Sequence, residues 1–272
     1  NLFKLGLFKS KSARTVRGQP SSSRGGFVAI PDKYQSLAEV QAALRQAGLE
    51  SSNLVIGVDY TKSNTWNGKN TFGGQCLHDL RGGQNPYTDV INIMGQTLEP
   101  FDDDKLIPVY GFGDVSSKDR SVFPFFPDRV CHGFTEVIQR YTEITPNVKL
   151  SGPTSFAPLI RETIRVQQEE GGYHILVIIA DGQVTNVRET TQAIVDATKY
   201  PISIICVGVG DGPWELMEEF DDQLPSRSFD NFQFVPYYET MHRAENREVA
   251  FSVAALQEIP DQFKTISKLG LL

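Results

Sequence analysis

The chain has 272 residues, of which 40% are hydrophobic and 22% are charged, and its formal net charge is −7. This size and composition fit one α/β domain with appendages and a full hydrophobic core. No apolar run approaches the length needed to span a bilayer, no secretory signal is visible, and the acidic balance argues against nucleic acid as a partner.

Residues 1–26 are predicted to form a basic N-terminal arm and linker, followed by one domain over residues 27–272. Residues 1–25 contain six Lys or Arg residues and no acid, so the arm suits an anionic surface. Its start, NLFKLGLFKS, is compatible with lying on an anionic membrane, with docking into a groove of a partner, and with a plain tail. The candidate contact residues are Lys4, Lys9, Lys11, Arg14 and Arg17.

Six apolar segments are predicted to be the strands of a single sheet. They alternate with amphipathic segments, which is typical of a doubly wound, mainly parallel α/β sheet with helices on both faces. The segment VFPFF contains a proline and is predicted to be an antiparallel edge strand. In chain order the predicted strands are Leu54–Asp59, Leu106–Phe112, Val122–Phe126, His174–Asp181, Ile202–Val209 and Phe232–Val235.

The helices are predicted from apolar periodicity and from their start and stop residues. Ser36 caps the first helix and Pro86 begins the second, whereas residues 64–85 are polar and glycine-rich and form a long loop. The remaining helices are predicted at Phe134–Ile144, Pro158–Glu170, Val187–Lys199 and Trp214–Phe220, with a single closing helix at Glu239–Leu256.

Three stretches of the chain offer hard oxygen ligands. The first strand ends at Asp59 and is followed by the hydroxyls of Thr61 and Ser63, a later strand ends at Asp181, and the loop SGPTS carries Thr154. Tracing the chain direction brings all five residues to the carboxyl edge of the sheet, where open α/β folds bind ligands. Such oxygens suit Mg²⁺ or Mn²⁺ better than zinc. Taken alone, Asp-x-Thr-x-Ser is equally compatible with a capped turn that opens a helix.

These stretches resemble a known family. DYTKS, the Thr of SGPTSFAPL, and VIIADG resemble the metal-ion-dependent adhesion site of a von Willebrand factor A domain. The segments ESSNLVIGVDYTKSN, LIPVYGFGD, HILVIIADGQVT, VGVGDGPWE and FDNFQFV resemble the A domain of copines, and still more the copine-like domain of plant RING-type ubiquitin ligases. The resemblance covers roughly residues 34–264. Integrin-type domains carry Ser where this chain has Thr61, whereas copine-like domains share the Thr.

The resemblance implies a function and a set of site residues. It implies a Mg²⁺-dependent protein-interaction module, with Mn²⁺ as an alternative ion, in which a partner's Asp or Glu completes the coordination of the metal. The implied ligands are Asp59, Thr61, Ser63, Thr154 and Asp181. The residues predicted to form a contact rim around them are Asn64, Trp66, Gly152 and Ser155.

A catalytic function is the first alternative. Hydrolases that transfer phosphoryl groups use Asp-x-Asp-x-Thr, but Thr61 stands where the second Asp would act as acid and base. The glycines of residues 208–212 resemble half of a dinucleotide fingerprint, which Pro213 interrupts. No pair of histidines has ligand spacing, so all four are interpreted as structural or surface groups: His78, His132, His174 and His242. The sequence therefore favours binding over catalysis.

The second alternative is the substrate-recruiting domain of a RING-type ubiquitin ligase whose RING lies outside this chain. A RING needs about eight Cys and His ligands in CxxC-type spacing, whereas the three cysteines, Cys76, Cys131 and Cys206, are not so spaced. This odd number of cysteines predicts reduced thiols in an intracellular, cytoplasmic protein. The basic arm would allow such a protein a peripheral position on the inner face of a membrane.

Overall fold

Residues 36–182, 184–224 and 227–272 are described in the structure, which is a computed structural model. The predicted arm lies outside the described residues, as do its Lys4, Lys9, Lys11, Arg14 and Arg17. The predicted boundary at residue 26 lies outside them as well.

The sheet is built around strand β1 (Asn53–Asp59). The other strands in the described part are β2 (Leu106–Ile107), β3 (Val109–Phe112), β4 (Phe123–Pro124), β5 (Cys131–His132), β6 (His174–Ala180), β7 (Ile202–Gly208) and β8 (Phe232–Pro236). The main sheet has the order β4-β3-β1-β6-β7-β8, with β4 antiparallel at one edge and the others parallel. This confirms the predicted six-stranded, mainly parallel sheet with one antiparallel edge strand.

Helices cover both faces of the sheet. Their bounds are α1 (Leu37–Gln46), α2 (Pro86–Leu98), α3 (Gly133–Ile144), α4 (Ala157–Glu170), α5 (Val187–Ala197), α6 (Glu215–Asp222), α7 (Tyr237–Arg243), α8 (Arg247–Leu256) and α9 (Ile259–Lys268). One core lies under α1, α2, α3, α8 and α9, and the other lies under α4, α5 and α6. Within the described ranges, no helix has both the length and the apolar character that a bilayer crossing requires.

The central strands are apolar throughout because both of their faces are covered. Every residue of β6 and β7 is buried, as expected for a parallel sheet between two helical layers. Gly57 in β1 permits a close approach of α4, since a Cβ there would lie 2.1 Å from a methyl carbon of Leu159. Position 57 therefore has no room for a side chain.

Two predicted elements are divided in the structure. The predicted strand Leu106–Phe112 breaks at Pro108, and its first two residues pair with β5 in a separate antiparallel sheet. The predicted closing helix Glu239–Leu256 is wrong as a single element, because Asn246 caps a new helix by accepting a hydrogen bond from the amide of Val249. An N-cap side chain begins a helix and so marks a boundary that apolar periodicity does not show.

Candidate metal centre

The ends of two adjacent strands bring the predicted ligands together. β1 and β6 pair in parallel with Val58 opposite Ile179, so Asp59 and Asp181 leave the sheet at the same edge. The Ser63 hydroxyl donates a hydrogen bond of 2.9 Å to Oδ1 of Asp181, and the hydroxyl oxygens of Thr61 and Ser63 lie 2.9 Å apart. Four of the five predicted ligands therefore form one cluster of oxygens.

A tight turn after β1 holds the first three ligands in place. The amide of Thr61 donates to Oδ1 of Asp59 at 2.7 Å. A short 3₁₀ helix, Lys62–Thr65, follows at once. The turn and the helix direct the Thr61 and Ser63 hydroxyls toward the same place as the Asp59 carboxylate. The Asp59 carboxylate closes the turn, but the 3₁₀ helix itself has no side-chain cap, because Thr61 at its N-cap makes no capping hydrogen bond.

Thr154 reaches the same edge on a neighbouring loop. The amide of Lys62 donates to the carbonyl of Ser151 at 2.6 Å, and a β-bridge joins Thr61 to Ser151. The backbone amide of Thr154 donates to the Thr185 hydroxyl at 2.8 Å, which fixes the loop. The Thr154 hydroxyl makes no hydrogen bond with any residue that the structure describes, so it remains available as a ligand.

The two carboxylates are buried and lack a compensating charge. Asp59 and Asp181 are at most 1% exposed, and the Oδ2 atom of each is buried without a hydrogen-bond partner. Burial raises the pKa of Asp59 to about 6, and burial together with the charge of Asp59 raises the pKa of Asp181 well above its usual range. Within the described ranges, no Lys, Arg or His forms an ion pair with either group. Two buried carboxylates and several hydroxyls are the donor set that a hard divalent cation requires.

A layer of buried aromatic residues supports the backbone of Asp59. Its carbonyl oxygen lies 2.8 Å from Nε2 of His78 and accepts a hydrogen bond of 3.2 Å from the hydroxyl of Tyr87. Because a carbonyl only accepts, Nε2 carries the proton, and Nδ1 accepts from the Tyr141 hydroxyl at 2.7 Å. Burial lowers the pKa of His78 to about 4, so the ring is neutral at pH 7. The interpretation of His78 as a structural group is confirmed.

Two glycines allow close packing around the centre. Gly113 follows β3 with φ of +81°, and a Cβ there would lie 2.3 Å from Cγ2 of Thr61. Gly210 follows β7 with φ of +97°, and a Cβ there would lie 2.7 Å from the carbonyl oxygen of Asn67. Gly113 was not predicted from the sequence, although it follows β3 at the same sheet edge as Asp59, where the carboxyl ends of the parallel strands meet.

The loop after β1 is tied to the ends of β6 and β7. The side-chain amide of Asn67 donates to the carbonyl oxygen of Asp181. The Asp211 carboxylate accepts from the amides of Asn70 and Thr71, both at 2.9 Å, and from the Thr71 hydroxyl at 2.7 Å. The segment 64–85, predicted only as a long loop, is thus attached to the edge that bears the candidate ligands.

The four residues of the predicted contact rim differ in their exposure to solvent. Trp66 is 58% exposed and Gly152 is partly exposed, but Asn64 and Ser155 are fully buried. The Asn64 amide donates inward to the carbonyl of Thr61 at 3.0 Å, and the Ser155 hydroxyl accepts from the amide of Ala157 at 3.3 Å. These two residues fix the turn and the start of α4, so their place in the rim was wrong.

A second group of acids lies away from the centre. Asp221, Asp230 and Glu258 place carboxylate oxygens near one another. The guanidinium of Arg227 lies within this group, with Nη1 3.0 Å from Oδ1 of Asp230. An arginine therefore supplies positive charge within this group of acids.

Comparisons with known proteins agree on one family. A family model described as Copine matches residues 76–272. The chain is 51% identical over 260 residues to the E3 ubiquitin-protein ligase RGLG1 of Arabidopsis thaliana, covering 89% of this chain and 53% of that protein. It is 49% identical over 244 residues to copine family protein 2 of Caenorhabditis elegans, covering 88% of this chain and 3% of that protein. The chain thus spans about half the length of RGLG1 and far less of the nematode protein.

Among solved structures, the chain is similar to the manganese-loaded TRAP protein of Plasmodium vivax. The TM-score is 0.45 and the sequence identity is 12%, with 70% of each chain covered.

Proposed function

Because this chain belongs to the copine family, we propose that it is a magnesium-dependent module that binds a protein partner through the centre at Asp59 and Asp181. The observation that carries the proposal is the pair of buried carboxylates, each with a buried Oδ2 that has no partner. Leaving two such charges uncompensated costs several kcal/mol, which a bound dication would offset.

The chain's own residues would hold the ion and leave room for a partner. Asp59, Thr61, Ser63, Thr154 and Asp181 offer hard oxygens, which suit Mg²⁺ or Mn²⁺. A bound dication would supply the positive charge that attracts an Asp or Glu of the partner. His78 and Tyr87 hold the Asp59 backbone, so that the carboxylate keeps its position when the partner leaves.

Recognition is a better proposal than catalysis for this centre. His78 is the nearest imidazole to the Asp59 backbone, and both of its ring nitrogens are already hydrogen-bonded. It is therefore not free to donate a proton to a leaving group. Thr61 stands where a phosphoryl-transfer hydrolase would place its acid, and a hydroxyl does not titrate near neutral pH.

Calorimetric titration with MgCl₂ and with MnCl₂ tests the metal centre. The unchanged chain should bind one ion, and Asp59→Ala should weaken binding by roughly a hundredfold or more, since a charged ligand is lost. Asp128→Ala is the matched control, because it removes an exposed carboxylate from another loop. Thermal melting of the variants confirms that the fold persists. Equal Mg²⁺ affinity of the unchanged chain and Asp59→Ala would overturn the proposal.

A second candidate function is substrate recruitment for a ubiquitin ligase. The observation that favours it is the 51% identity to RGLG1. In a natural protein that combines this chain with a RING domain, Asp59→Ala should reduce ubiquitination of bound substrates and leave RING-dependent self-ubiquitination unchanged. Equal loss of both activities, or of neither, would contradict the recruiting function.

A further inference from the structure

Three segments at the metal edge each expose a large apolar side chain. Trp66 is 58% exposed, Val115 is 51% exposed, and Val187, the first residue of α5, is 41% exposed. These segments follow β1, β3 and β6, which are neighbours in the sheet. Apolar side chains scattered singly over a surface are ordinary, but several at one site indicate a contact surface.

Short backbone connections place these three residues beside the candidate ligands. The amide of Trp66 donates to the carbonyl of Ser63 at 2.9 Å. Val115 is two residues from Gly113, whose Cβ position lies against Thr61. Val187 is two residues from Thr185, which is hydrogen-bonded to the backbone of Thr154.

The same part of the surface carries basic side chains. Lys62 lies between Thr61 and Ser63, and Arg188 follows Val187. Lys149 lies beside Val115, because its carbonyl accepts a hydrogen bond of 2.9 Å from the amide of Val115. All three are exposed, and none forms an ion pair with the residues that the structure describes. They surround an acidic centre on a chain whose net charge is −7. The surface outside the carboxylates therefore presents exposed apolar side chains together with three basic ones.

We propose that this surface selects protein segments in which the metal-binding Asp or Glu is flanked by large apolar residues and accompanied by a second acid. The inference rests on the metal-dependent function proposed above. Apolar residues flanking the acid would cover Trp66, Val115 and Val187 and remove them from water. An all-polar segment would leave these three side chains exposed. A second acid would be attracted by Lys62, Lys149 and Arg188, chiefly speeding association and fixing orientation.

Labelled nine-residue peptides test the selection by fluorescence anisotropy. One peptide has a central Asp with Leu on both sides and a Glu near its end. A second has Ser in place of each Leu, and a third has Gln in place of the Glu. In Mg²⁺ the first peptide should bind at least tenfold more tightly than the second and severalfold more tightly than the third. EDTA should abolish binding of all three.

Surface variants show whether the apolar residues named here cause the preference. Trp66→Ser, Val115→Ser and Val187→Ser should each reduce the preference for the Leu-flanked peptide and leave Mg²⁺ affinity unchanged in calorimetry. Leu106→Ser is the matched control, because Leu106 is 46% exposed but begins β2 on the amino side of β3, away from the metal edge. The control should bind all peptides like the unchanged chain.

The possible failures are distinguishable. Equal affinity for the Leu-flanked and Ser-flanked peptides, or no binding of either at millimolar concentration, would overturn the inference while intact Mg²⁺ binding preserves the metal centre. A preference that survives all three Ser variants would also overturn it. Loss of Mg²⁺ binding in the unchanged chain would instead remove the proposed function on which the inference rests.

Discussion

The imidazole of His78 donates to the carbonyl oxygen of Asp59 across 2.8 Å, which joins a buried aromatic layer to the backbone of a candidate metal ligand. The ring stacks between Tyr60 and Tyr87, with centroid separations of 4.7 Å and 4.1 Å. Its other nitrogen accepts from Tyr141 in α3. His78 is not itself a candidate metal ligand, but it fixes the backbone position of Asp59, which is one.

Replacing His78 should weaken both the fold and the centre. His78→Phe keeps the stacking but leaves the Asp59 carbonyl and the Tyr141 hydroxyl without this partner, at a cost of about 2 kcal/mol of unfolding free energy. Mg²⁺ affinity should fall by roughly tenfold, as it does when groups that orient ligands are removed. Urea unfolding and calorimetry measure the two effects. His78→Gln retains an amide donor and should recover part of the Mg²⁺ affinity; equal affinity of all three proteins would contradict the positioning role.

Adding one methyl group at Gly113 should impair metal binding. In Gly113→Ala the new Cβ would collide with Cγ2 of Thr61 at 2.3 Å and displace the turn that bears Thr61 and Ser63. Gly133→Ala is the matched control, because Gly133 also has positive φ (+71°) but has open space around its Cβ position. Both variants should lose about 1 kcal/mol of stability from backbone strain. Only Gly113→Ala should lose Mg²⁺ affinity, and equal affinities would show that the Thr61 turn is not part of the centre.

Metal binding should strengthen as the pH rises. The pKa of Asp59 is raised from an ordinary value of 3.8 to about 6, and that of Asp181 is raised well above 3.8. Mg²⁺ must displace these protons, so its affinity should rise by at least about tenfold from pH 5.5 to pH 7.5. The metal-free protein should lose stability as the pH rises from about 4 through about 6, because in that window the folded state holds a proton that the unfolded chain has released. The increase in Tm caused by Mg²⁺ should therefore be larger at pH 7.5; an increase that does not vary with pH would contradict the carboxylate pair.

Removing the charge of one of the two acids should abolish the response to Mg²⁺ and raise the stability of the metal-free protein. Asp181→Asn keeps an oxygen that can accept from the Ser63 hydroxyl but removes the charge that faces Asp59. Without metal, this variant should become more stable than the unchanged chain as the pH rises, because the repulsion is gone. Its Tm should not respond to Mg²⁺. Asp128→Asn, an exposed site, serves as the control in thermal melting, and a preserved Mg²⁺ response in Asp181→Asn would exclude Asp181 from the centre.

The centre should not hydrolyse phosphate esters. A phosphate-ester assay in Mg²⁺ should show no turnover above the buffer rate, because bound Mg²⁺ displaces the protons of Asp59 and Asp181 and both ring nitrogens of His78 are already hydrogen-bonded. Steady turnover that disappears in Asp59→Ala would replace the binding function with a catalytic one.

Much of the fold and most of the ligand cluster could be predicted without coordinates. The apolar runs that become β1, β6 and β7 are long and uninterrupted, so strand identity and direction followed from local pattern. Once the direction of parallel strands is known, their carboxyl ends must lie at one edge, which placed Asp59 and Asp181 together. The hydroxyls of Thr61 and Ser63 came with Asp59 because they are its near neighbours in the chain.

Tertiary structure decided what depends on partners distant in sequence. Nothing local to Asn64 or Ser155 shows that they are buried, and the partners of His78 come from α2, α3 and the end of β1. The break at Pro108 places residues 106–107 against β5, a pairing that the pattern of one apolar run does not contain. Backbone preference and periodicity act over a few residues and are readable from the sequence. The burial of Asn64 and Ser155, the tautomer of His78 and the contact between Gly113 and Thr61 arise only when separate segments pack at van der Waals distance.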